Sequence, residues 1–368
     1  MTPDRQARAS RSPTGEPTTT RQGFASVAQL TEFDDIIDVR SPAEYADDHI
    51  PGAMNCPALD NPQRAQVGTI YKQVSAFEAR KLGGALVARN LAQALLDHFQ
   101  DKPKSWRPLI YCWRGGQRSG SFVAWFRLIG WDACQLEGGY KRFRRHVIDE
   151  LARLAPQARL RVVCGATGSA KTRLLEALAA QGAQVLDLEA LAAHKGSVLG
   201  ALPGIAQPTQ KSFETRMYSQ LQRLDLAQPV FVEAESRKIG ALQIPDGLLQ
   251  RMREAPCLTL DATRDARIEF LLRDYAYLGD DVPALKLKIE AMRTLQSNET
   301  LAKWKALADA GDLRTLFGEL IDLHYDPLYQ RSQNRNYAAF ADAPVFAVDD
   351  LSPSSLESLA ARILRDLA

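Results

Sequence analysis

The stretch ARLRVVCGATGSAKTRLLEALAAQG, residues 158–182, decides the fold of the second half of the chain. A short apolar run leads into a turn of glycine and small residues, and a helical pattern of leucine and alanine follows. Strands that alternate with helices in this way are typical of parallel sheets covered by helices. The sequence therefore predicts an α/β fold for this half, with parallel strands.

The glycine-rich turn matches most of the phosphate-binding pattern G-x-x-x-x-G-K-[ST], known as Walker A. In such a loop the backbone N–H groups surround phosphate oxygens, the lysine neutralises charge and the last hydroxyl can bind Mg²⁺. The predicted residues for phosphate or diphosphate binding are Gly165, Thr167, Gly168, Ser169, Lys171 and Thr172. Ala170 replaces the second glycine of the pattern, which costs a little where φ must be positive. No metal is assigned, beyond the ability of Thr172 to bind Mg²⁺.

A carboxylate on a neighbouring strand would complete a nucleotide-hydrolysing site. Enzymes of that kind hold Mg²⁺ with an aspartate at the end of a second strand. The candidate strand PVFVEAES, residues 229–236, ends in Glu233 and Glu235 instead. We therefore expect a loop that grips a diphosphate without efficient ATP hydrolysis, and the sequence leaves open whether ATP or GTP binds.

A second loop, IYCWRGGQRSG at residues 110–120, repeats the order of strand, turn and helix around Cys112. Its glycines permit positive φ, so successive N–H groups can form a concave nest for an anion. The following helix points its positive end at the same place. A cysteine at the lip of such a loop has a lowered pKa and reacts as the thiolate. We predict Cys112 as the catalytic residue and an anion site made of Arg114, Gly115, Gly116, Arg118 and Ser119.

The bulk composition sets limits on the class of protein. A chain of 368 residues is long enough for two or three domains, and its net charge of +2 means that any basic surface is local. Five cysteines without a CxxC pair favour reduced thiols in a cytoplasm, and no apolar run is long enough for a membrane span. Residues 1–22 are rich in Pro, Thr, Ser and Arg, which predicts a disordered tail.

The first half also carries a resemblance to a known domain. IIDVRSPAEYADDHIPGAMNCP (36–57) resembles the opening signature of rhodanese domains, and LEGGYKRF (136–143) resembles their closing strand. The resemblance implies that Cys112 carries a persulfide or its selenium analogue, and that Asp38 and Arg40 brace the loop. Cys112 to Arg118 spans seven residues, a spacing that also occurs in rhodanese-fold phosphatases, so phosphatase and sulfurtransferase chemistry both remain open.

Taken together, nearly all of residues 24–368 resemble the tRNA 2-selenouridine synthase family. The stretches that carry this likeness are GTIYKQVSAFEARKLGGALVARN (68–90), YCWRGGQRSGS (111–121), QPTQKSFE (207–214), EAESRKIG (233–240) and HYDPLY (324–329). The resemblance implies an N-terminal rhodanese-like α/β domain at 23–150. A P-loop NTPase-like α/β domain with a helical C-terminal part would follow at 151–368.

The same resemblance implies a reaction on tRNA with 2-thiouridine at the wobble position. Selenium from selenophosphate replaces the sulfur at C2, and an S-geranyl intermediate is first made from geranyl diphosphate. Both are co-substrates, no permanently bound cofactor is expected, and a selenophosphate-producing enzyme is the expected supplier. Because a thiocarbonyl sulfur leaves poorly and an alkylated one leaves as a thiol, alkylation before exchange is chemically sensible. The oligomeric state and the preferred tRNAs are left open.

Two basic patches are candidates for the tRNA contact. YKRFRRH (140–146) places four basic residues beside Tyr140 and Phe143, and such a cluster can hold backbone phosphate and stack unpaired bases. The candidates are Lys141, Arg142, Arg144 and Arg145, with Arg237 and Lys238 as a second patch. The alternative for the first patch is a solvated helix face. A non-catalytic, nucleotide-binding sulfur carrier is the remaining alternative for the whole chain.

Overall fold

The structure, a computed structural model, describes residues 23–367, and the tail predicted at 1–22 lies outside the described residues. Two compact units form. The first contains the described residues up to Pro42 together with Gly52–Arg142, and the second contains Ala43–Pro51 together with the chain from Phe143 onwards. Each unit is built on its own parallel sheet.

The sheet of the first unit has five parallel strands. They are β1 Phe24–Ala25, β2 Asp35–Asp38, β3 Met54–Asn55, β4 Pro108–Tyr111 and β5 Cys134–Leu136. Their order across the sheet is β1-β5-β4-β2-β3. The helices along this part of the chain are α1 Pro42–Asp47, α2 Asn61–Gln73, α3 Ala76–His98, α4 Gln117–Ile129 and α5 Gly139–Leu154. A 3₁₀ turn at Val27–Glu32 precedes β2.

The middle strand β4 positions the first candidate loop. All four of its residues are buried, because strands on both sides and an apolar cluster cover it. That cluster is dominated by ring contacts among Phe99, Trp106, Phe126 and Trp131. Cys112 follows β4 directly, so the rigid centre of the sheet fixes its backbone.

The second unit contains a second five-stranded parallel sheet. Its strands are β6 Arg159–Cys164, β7 Gln184–Val185, β8 Pro229–Glu233, β11 Cys257–Ala262 and β12 Val345–Val348, in the order β12-β11-β6-β8-β7. A short antiparallel pair, β9 Lys238–Ile239 and β10 Leu242–Gln243, lies beside it in sequence. β6 is central, so the phosphate-loop sequence and Glu233 both follow the carboxyl ends of neighbouring strands. Ligands of open parallel sheets bind at this edge.

Helices cover this sheet and build a separate helical core. They are α6 Lys171–Ala180, α7 Leu188–Ala192, α8 Gln210–Leu221, α9 Asp246–Glu254, α10 Arg264–Asp274, α11 Tyr277–Asp280, α12 Val282–Glu290, α13 Asn298–Asp309, α14 Leu313–Leu320, α15 Asp326–Asn336 and α16 Pro353–Asp366. A 3₁₀ turn at Ala155–Gln157 precedes β6, and a π-helical turn at Ile321–Tyr325 joins α14 to α15. The helical core is centred on Trp304, which is fully buried.

The predicted fold class is confirmed, with parallel α/β sheets in both halves and a mainly helical C-terminal part. Two details differ. The run AQVLDLEAL forms only the short strand β7 before Asp187 caps the helix α7. The C-terminal part also returns to the sheet as β12, whose pairing with β11 the helical pattern around it concealed. No helix among residues 23–367 has the length and apolar content needed to cross a bilayer.

Candidate functional site

The sulfur of Cys112 accepts two hydrogen bonds from the loop that follows it. The Gly116 N–H donates at 3.2 Å and the Ser119 hydroxyl donates at 3.1 Å. Gln135 of β5 donates its amide N–H to Ser119 Oγ at 2.7 Å and to the Gly116 carbonyl at 3.0 Å. Gln135 thus fills an acceptor position of Ser119 Oγ, whose proton faces the Cys112 sulfur at 3.1 Å and the Gly116 carbonyl at 3.3 Å. Gln135 is a site residue that the sequence analysis missed.

These contacts favour the thiolate. Burial has the largest influence on Cys112 and by itself raises its pKa, but the hydrogen bonds from Ser119 and Gly116 and the charge of Arg118 together outweigh it. The pKa of Cys112 is therefore lowered, which is the direction predicted from the sequence. Cys56 lacks such partners, and burial raises its pKa to about 12. The loop and not the burial makes Cys112 acidic.

Glycines lock the loop against the start of α5. Gly115 and Gly139 have φ values of +64° and +58°, in the left-handed region. A β-carbon at Gly139 would collide with the Cys112 carbonyl oxygen, and one at Gly115 would lie 2.8 Å from the Leu136 carbonyl oxygen. Only glycine fits at these two positions. One glycine from each GG pair is therefore needed where the Cys112 loop packs against the start of α5.

A buried ion pair supports the same loop. Arg40 and Asp38 are 1% and 0% exposed, and Arg40 Nη2 lies 2.6 Å from Asp38 Oδ2. The Arg40 guanidinium also lies over the ring of Tyr140, 3.9 Å from its centroid. Tyr140 in turn donates its backbone N–H to the Cys112 carbonyl at 2.8 Å. These contacts agree with the bracing role that the resemblance implied for Asp38 and Arg40.

The structure corrects one detail of the first site. The sequence predicted Cys112 at the lip of the loop, but the residue is 3% exposed and lies at its floor. The reason is that β4 is buried over its whole length, so its next residue enters the apolar core. Arg114 and Gly116 are exposed, whereas Ser119 is buried beneath them. The cysteines at 56, 134, 164 and 257 are buried too, as expected.

The phosphate loop follows β6 and has the backbone that its sequence predicted. Ala170 has φ +59° and ψ +32°, the left-handed conformation normally supplied by glycine. An L-residue there costs about 1–2 kcal/mol, and Ala170 is buried against the apolar core of the unit. Lys171 Nζ donates to the Gly165 carbonyl at 2.8 Å and so lies across the loop. The loop is therefore preformed, with its lysine available to an incoming phosphate.

Two glutamates contact Thr172. Its hydroxyl lies 3.0 Å from Glu189 Oε2 and 3.1 Å from Glu233 Oε2. A hydroxyl has one proton, so one of these contacts requires a protonated carboxyl group or a bound cation in place of a proton. The sequence analysis expected inefficient ATP hydrolysis because glutamates replace the usual aspartate, and this stays a prediction. Glu233 supplies a carboxylate at that position, because the longer side chain still reaches Thr172.

The glutamate cluster fits a divalent cation. Oxygen atoms of Glu189, Glu233 and Glu235 lie within 4.8 Å of one another, and Glu233 Oε1 is buried without a hydrogen-bond partner. Burial, and then repulsion among these carboxylates, raises the pKa of Glu233; burial is likewise the largest cause of the raised pKa values of Glu189 and Glu235. Hard carboxylate oxygens with a neighbouring hydroxyl are the donors that Mg²⁺ prefers. Sequence reasoning missed Glu189 because its run was interpreted as a strand.

A cavity of about 600 Å³ opens next to the phosphate loop. Lys171, Thr172 and the glutamates line it, together with Lys195. Apolar side chains line much of the remainder, namely Val198, Leu202, Ile205, Phe270, Leu271 and Leu328. The volume suits a small organic ligand. The cavity lining therefore contains both charged groups that can bind a phosphorylated group and apolar side chains that can pack against a hydrocarbon chain.

The HYDPLY motif braces the phosphate loop, a role that the sequence did not reveal. Asp326 forms a bidentate ion pair with Arg267, at 2.6 and 2.9 Å. Arg267 is buried and donates from Nε to the Thr167 carbonyl at 2.9 Å. Tyr329 accepts a hydrogen bond from the Gly165 N–H through its hydroxyl oxygen. Motif residues from α15 thus hold the first part of the loop, directly at Gly165 and through Arg267 at Thr167.

His324 lines the cavity without a charged partner. It is 2% exposed, and burial lowers its pKa, so the imidazole is neutral at pH 7. The Gln296 amide lies 3.3 Å from His324 Nδ1, which suits an acceptor at that nitrogen. The neutral His324 ring therefore lines the cavity, and we assign it no role in proton transfer.

The predicted basic patches are only partly available to RNA. Tyr140 and Phe143 are each 1% exposed, so stacking of bases on their rings is excluded; both pack into the interior. Lys141, Arg142, Arg145, Arg237 and Lys238 are exposed, whereas Arg144 is half-buried. Three of these are already ion-paired: Arg144 with Glu214, Arg145 with Asp149 and Arg237 with Asp246. A backbone phosphate would have to compete with these carboxylates.

Comparison with known protein families finds a match in each half of the chain. The family of rhodanese-like domains matches residues 24–146, and the family described as the tRNA 2-selenouridine synthase AAA domain matches residues 158–282. The first match contains Cys112 and its loop. The second contains the phosphate loop and the three glutamates.

Curated relatives share one description, tRNA 2-selenouridine synthase. The protein from Nitrosomonas europaea is 38% identical over 65% of this chain, and the alignment spans 63% of that relative, just under two thirds of its length. The protein from Alcanivorax borkumensis is 32% identical over 82% of this chain and 90% of its own. The protein from Aeromonas salmonicida is 36% identical over 80% of this chain and 86% of its own.

Proposed function

The chain belongs to the tRNA 2-selenouridine synthase family, and on this premise we propose that it replaces sulfur by selenium at C2 of wobble 2-thiouridine in tRNA. The proposed sequence of reactions has two steps. Geranyl diphosphate first alkylates the C2 sulfur, and selenium from selenophosphate then displaces the geranyl thiol. The chain's two anion-binding loops suit two co-substrates that both carry phosphate.

The phosphate-loop cavity is the proposed geranyl diphosphate site, and its mixed lining is the observation that carries this proposal. The diphosphate would lie on the loop amides and Lys171, while the ten-carbon chain would lie along Leu202, Ile205 and Leu328. A nucleoside triphosphate would leave this apolar lining without a hydrocarbon partner.

Alkylation needs little from the protein beyond charge neutralisation and positioning. A C–S bond forms between the C2 sulfur and C1 of the geranyl group, the C–O bond to the diphosphate breaks, and the N3 proton of the base passes to solvent water. Lys171 stabilises the negative charge that develops on the leaving diphosphate. Glu189, Glu233, Glu235 and Thr172 would hold a Mg²⁺ ion, which when bound supplies further positive charge at the leaving group.

The role of Cys112 follows from electron balance. Selenium in selenophosphate is already at the selenide level, so a perselenide on Cys112, as the resemblance implied, would need an added oxidant. Attack of the Cys112 thiolate on phosphorus needs none. An S–P bond forms, the P–Se bond breaks, and protonated selenide leaves. Selenide then displaces the geranyl thiol at C2, and water hydrolyses the S-phosphocysteine to restore the thiol.

The loop geometry supports this version of the step. The seven-residue spacing from Cys112 to Arg118 is the one that also occurs where a phosphate is bound, and the lowered pKa of Cys112 supplies the nucleophile. The loop amides and Arg118 would bind the phosphoryl oxygens.

One incubation tests the whole proposal. Purified protein, 2-thiouridine tRNA, geranyl diphosphate and selenophosphate should yield S-geranyl-2-thiouridine and then 2-selenouridine by mass spectrometry of the nucleosides. Selenophosphate alone should leave a phosphoryl group on the Cys112 peptide. Formation of neither nucleoside would overturn the function. Selenouridine without phosphocysteine in a quenched time course would overturn only the proposed role of Cys112.

The lowered pKa and the long loop also favour a second candidate, a phosphatase acting through Cys112. It predicts multiple turnover of a small chromogenic phosphate ester, with the same phosphocysteine. Rapid hydrolysis of the ester without any change in tRNA nucleosides would favour this candidate over the tRNA enzyme.

A further inference from the structure

A second cavity in the same unit is lined mainly by arginine. It measures about 600 Å³, and its walls are Arg253, Leu328, Arg331, Arg335 and Asn336. Arg253 lies in the last turn of α9, and Arg331 and Arg335 lie one turn apart on α15. Neither the sequence analysis nor the proposed reaction assigns the three arginines a role. We call these five residues the arginine pocket.

The arginines of this pocket are not neutralised within the described chain. None of the three forms an ion pair with a described aspartate or glutamate, and Arg253 Nε is buried without a hydrogen-bond partner. Elsewhere in the unit, Arg264, Arg293 and Arg314 each have a carboxylate partner. Like charges one helical turn apart destabilise a helix. The retention of Arg331 and Arg335 in spite of this repulsion favours a bound anion that neutralises their charges.

The pocket adjoins the phosphate-loop cavity across one helix. Tyr329 and Gln333 of α15 line the cavity, whereas Arg331 and Arg335 line the arginine pocket, and Leu328 lines both. Residues two apart on a helix point in nearly opposite directions, so α15 separates the two spaces. An anion in the arginine pocket therefore lies across α15 from the proposed alkylation site, with Leu328 shared by the two spaces.

We propose that the arginine pocket binds backbone phosphate of the tRNA next to the nucleotide that enters the cavity. This inference rests on the proposed function, because it assigns the tRNA to the same site. Guanidinium groups suit phosphodiesters through bidentate hydrogen bonds, and Arg331 and Arg335 are exposed, as a polymer ligand requires. A chain of phosphates gains from counterion release at each contact, which an isolated small anion does not.

The test compares two double variants that remove the same charge. R331Q/R335Q removes two arginines of the pocket, and R293Q/R314Q removes two exposed, ion-paired arginines of the same unit. Affinity for 2-thiouridine tRNA is measured by fluorescence anisotropy at several salt concentrations. Binding of inorganic diphosphate is measured by calorimetry, and circular dichroism checks that both variants are folded.

The pocket variant should bind tRNA about tenfold more weakly, and its slope of log K against log salt should flatten by about 1–2. The control should keep the wild-type slope, and diphosphate affinity should be unchanged in both. Equal losses in both variants, or unchanged tRNA binding in R331Q/R335Q, would overturn the proposal. Loss of diphosphate binding with tRNA binding intact would instead assign the pocket to a free anion.

The same samples separate this inference from the proposed function. A wild type that binds tRNA through the pocket but modifies no nucleoside would overturn the function and leave the binding site in place. A wild type that makes selenouridine while R331Q/R335Q binds tRNA normally would overturn the binding site and leave the function in place.

Discussion

The Cys112 loop and the phosphate loop have the same construction and opposite electrostatics. Each follows the central strand of a parallel sheet, each contains a residue in the left-handed region, and each leads into a helix. In the first, hydrogen bonds and Arg118 lower the pKa of a buried thiol. In the second, burial and like charges raise the pKa of Glu189, Glu233 and Glu235.

This difference shows what each loop lacks. The Cys112 loop already stabilises a negative charge by its own donors, so it is ready to act as a nucleophile. The phosphate loop lies beside three carboxylates whose ionised forms are destabilised. A bound cation or a proton would stabilise them. One loop is preorganised for covalent chemistry, whereas the other is preorganised for a ligand.

The largest expected effect comes from Cys112→Ser, which separates the two loops by activity. A serine hydroxyl has no accessible anionic form here, so selenium incorporation should fall by about 10³-fold or more. Geranylation should remain near the wild-type rate because it uses the other loop. Nucleoside mass spectrometry with and without selenophosphate measures both products.

Cys134→Ala is the matched control, since Cys134 is also buried in the first unit and lies outside the loop. It should keep both activities. Loss of both activities in a folded Cys112→Ser protein would mean that the two loops do not divide the reaction as proposed.

The next effect is that of Lys171→Ala in the second loop. Without the lysine, the departing diphosphate loses its nearest positive charge, and the geranylation rate should fall by about 10²–10³-fold. Alkylation of Cys112 by iodoacetamide should be unchanged. Lys303→Ala, at an exposed lysine paired with Glu319, is the control and should keep geranylation. A slowed Cys112 alkylation in Lys171→Ala would break the assumed independence of the loops.

Much of this contrast could be predicted from the sequence. The order of strand, glycine turn and helix determined both loops, because that order permits few geometries at the end of a parallel strand. The pattern also predicted the left-handed Ala170 and the lowered pKa of Cys112. These features depend on residues that are close together in the chain.

The remainder depends on residues that are distant in sequence. Gln135 reaches Ser119 from the neighbouring strand, and Arg267 reaches Thr167 across 100 positions. Local patterns contain no signal for such contacts. The role of Glu233 was also underestimated. The sequence pattern specifies aspartate at this position, but the longer glutamate side chain reaches the same Thr172 hydroxyl. Burial of Tyr140 was missed because a run of basic residues was interpreted as wholly exposed.

A smaller effect tests how the first loop lowers the thiol pKa. Ser119→Ala removes the hydroxyl donor to the sulfur, and a hydrogen bond to a charged group is worth about 1.5–3 kcal/mol. The pKa of Cys112 should therefore rise, and its alkylation by iodoacetamide at pH 7 should slow by about tenfold. Ser121→Ala is the control, because Ser121 lies on the same helix and donates only to the Gln117 carbonyl. Equal rates in all three proteins would show that Ser119 does not activate the thiol.

The smallest effect concerns stability and tests the sign of the charge in the second loop. The pKa values of the three glutamates are raised above the ordinary value of 4.5, so the folded state holds extra protons just above that pH. Stability should therefore fall as the pH rises from about 4.5 through the raised pKa values. Glu233→Gln removes part of this loss and should raise Tm at pH 8 by about 2–4 °C, equivalent to about 1 kcal/mol.

Mg²⁺ should also raise the Tm of the wild type at pH 8, because the cation neutralises the carboxylates. Its effect on the Tm of Glu233→Gln should be smaller. Exposed Glu357→Gln is the control, and its Tm should follow the wild type at each pH with and without Mg²⁺. Thermal melts between pH 5 and pH 8 measure all three proteins. A wild-type Tm that rises over this range without Mg²⁺, and does so less in Glu233→Gln, would mean that the carboxylates are stabilised as anions. The contrast between the two loops would then disappear.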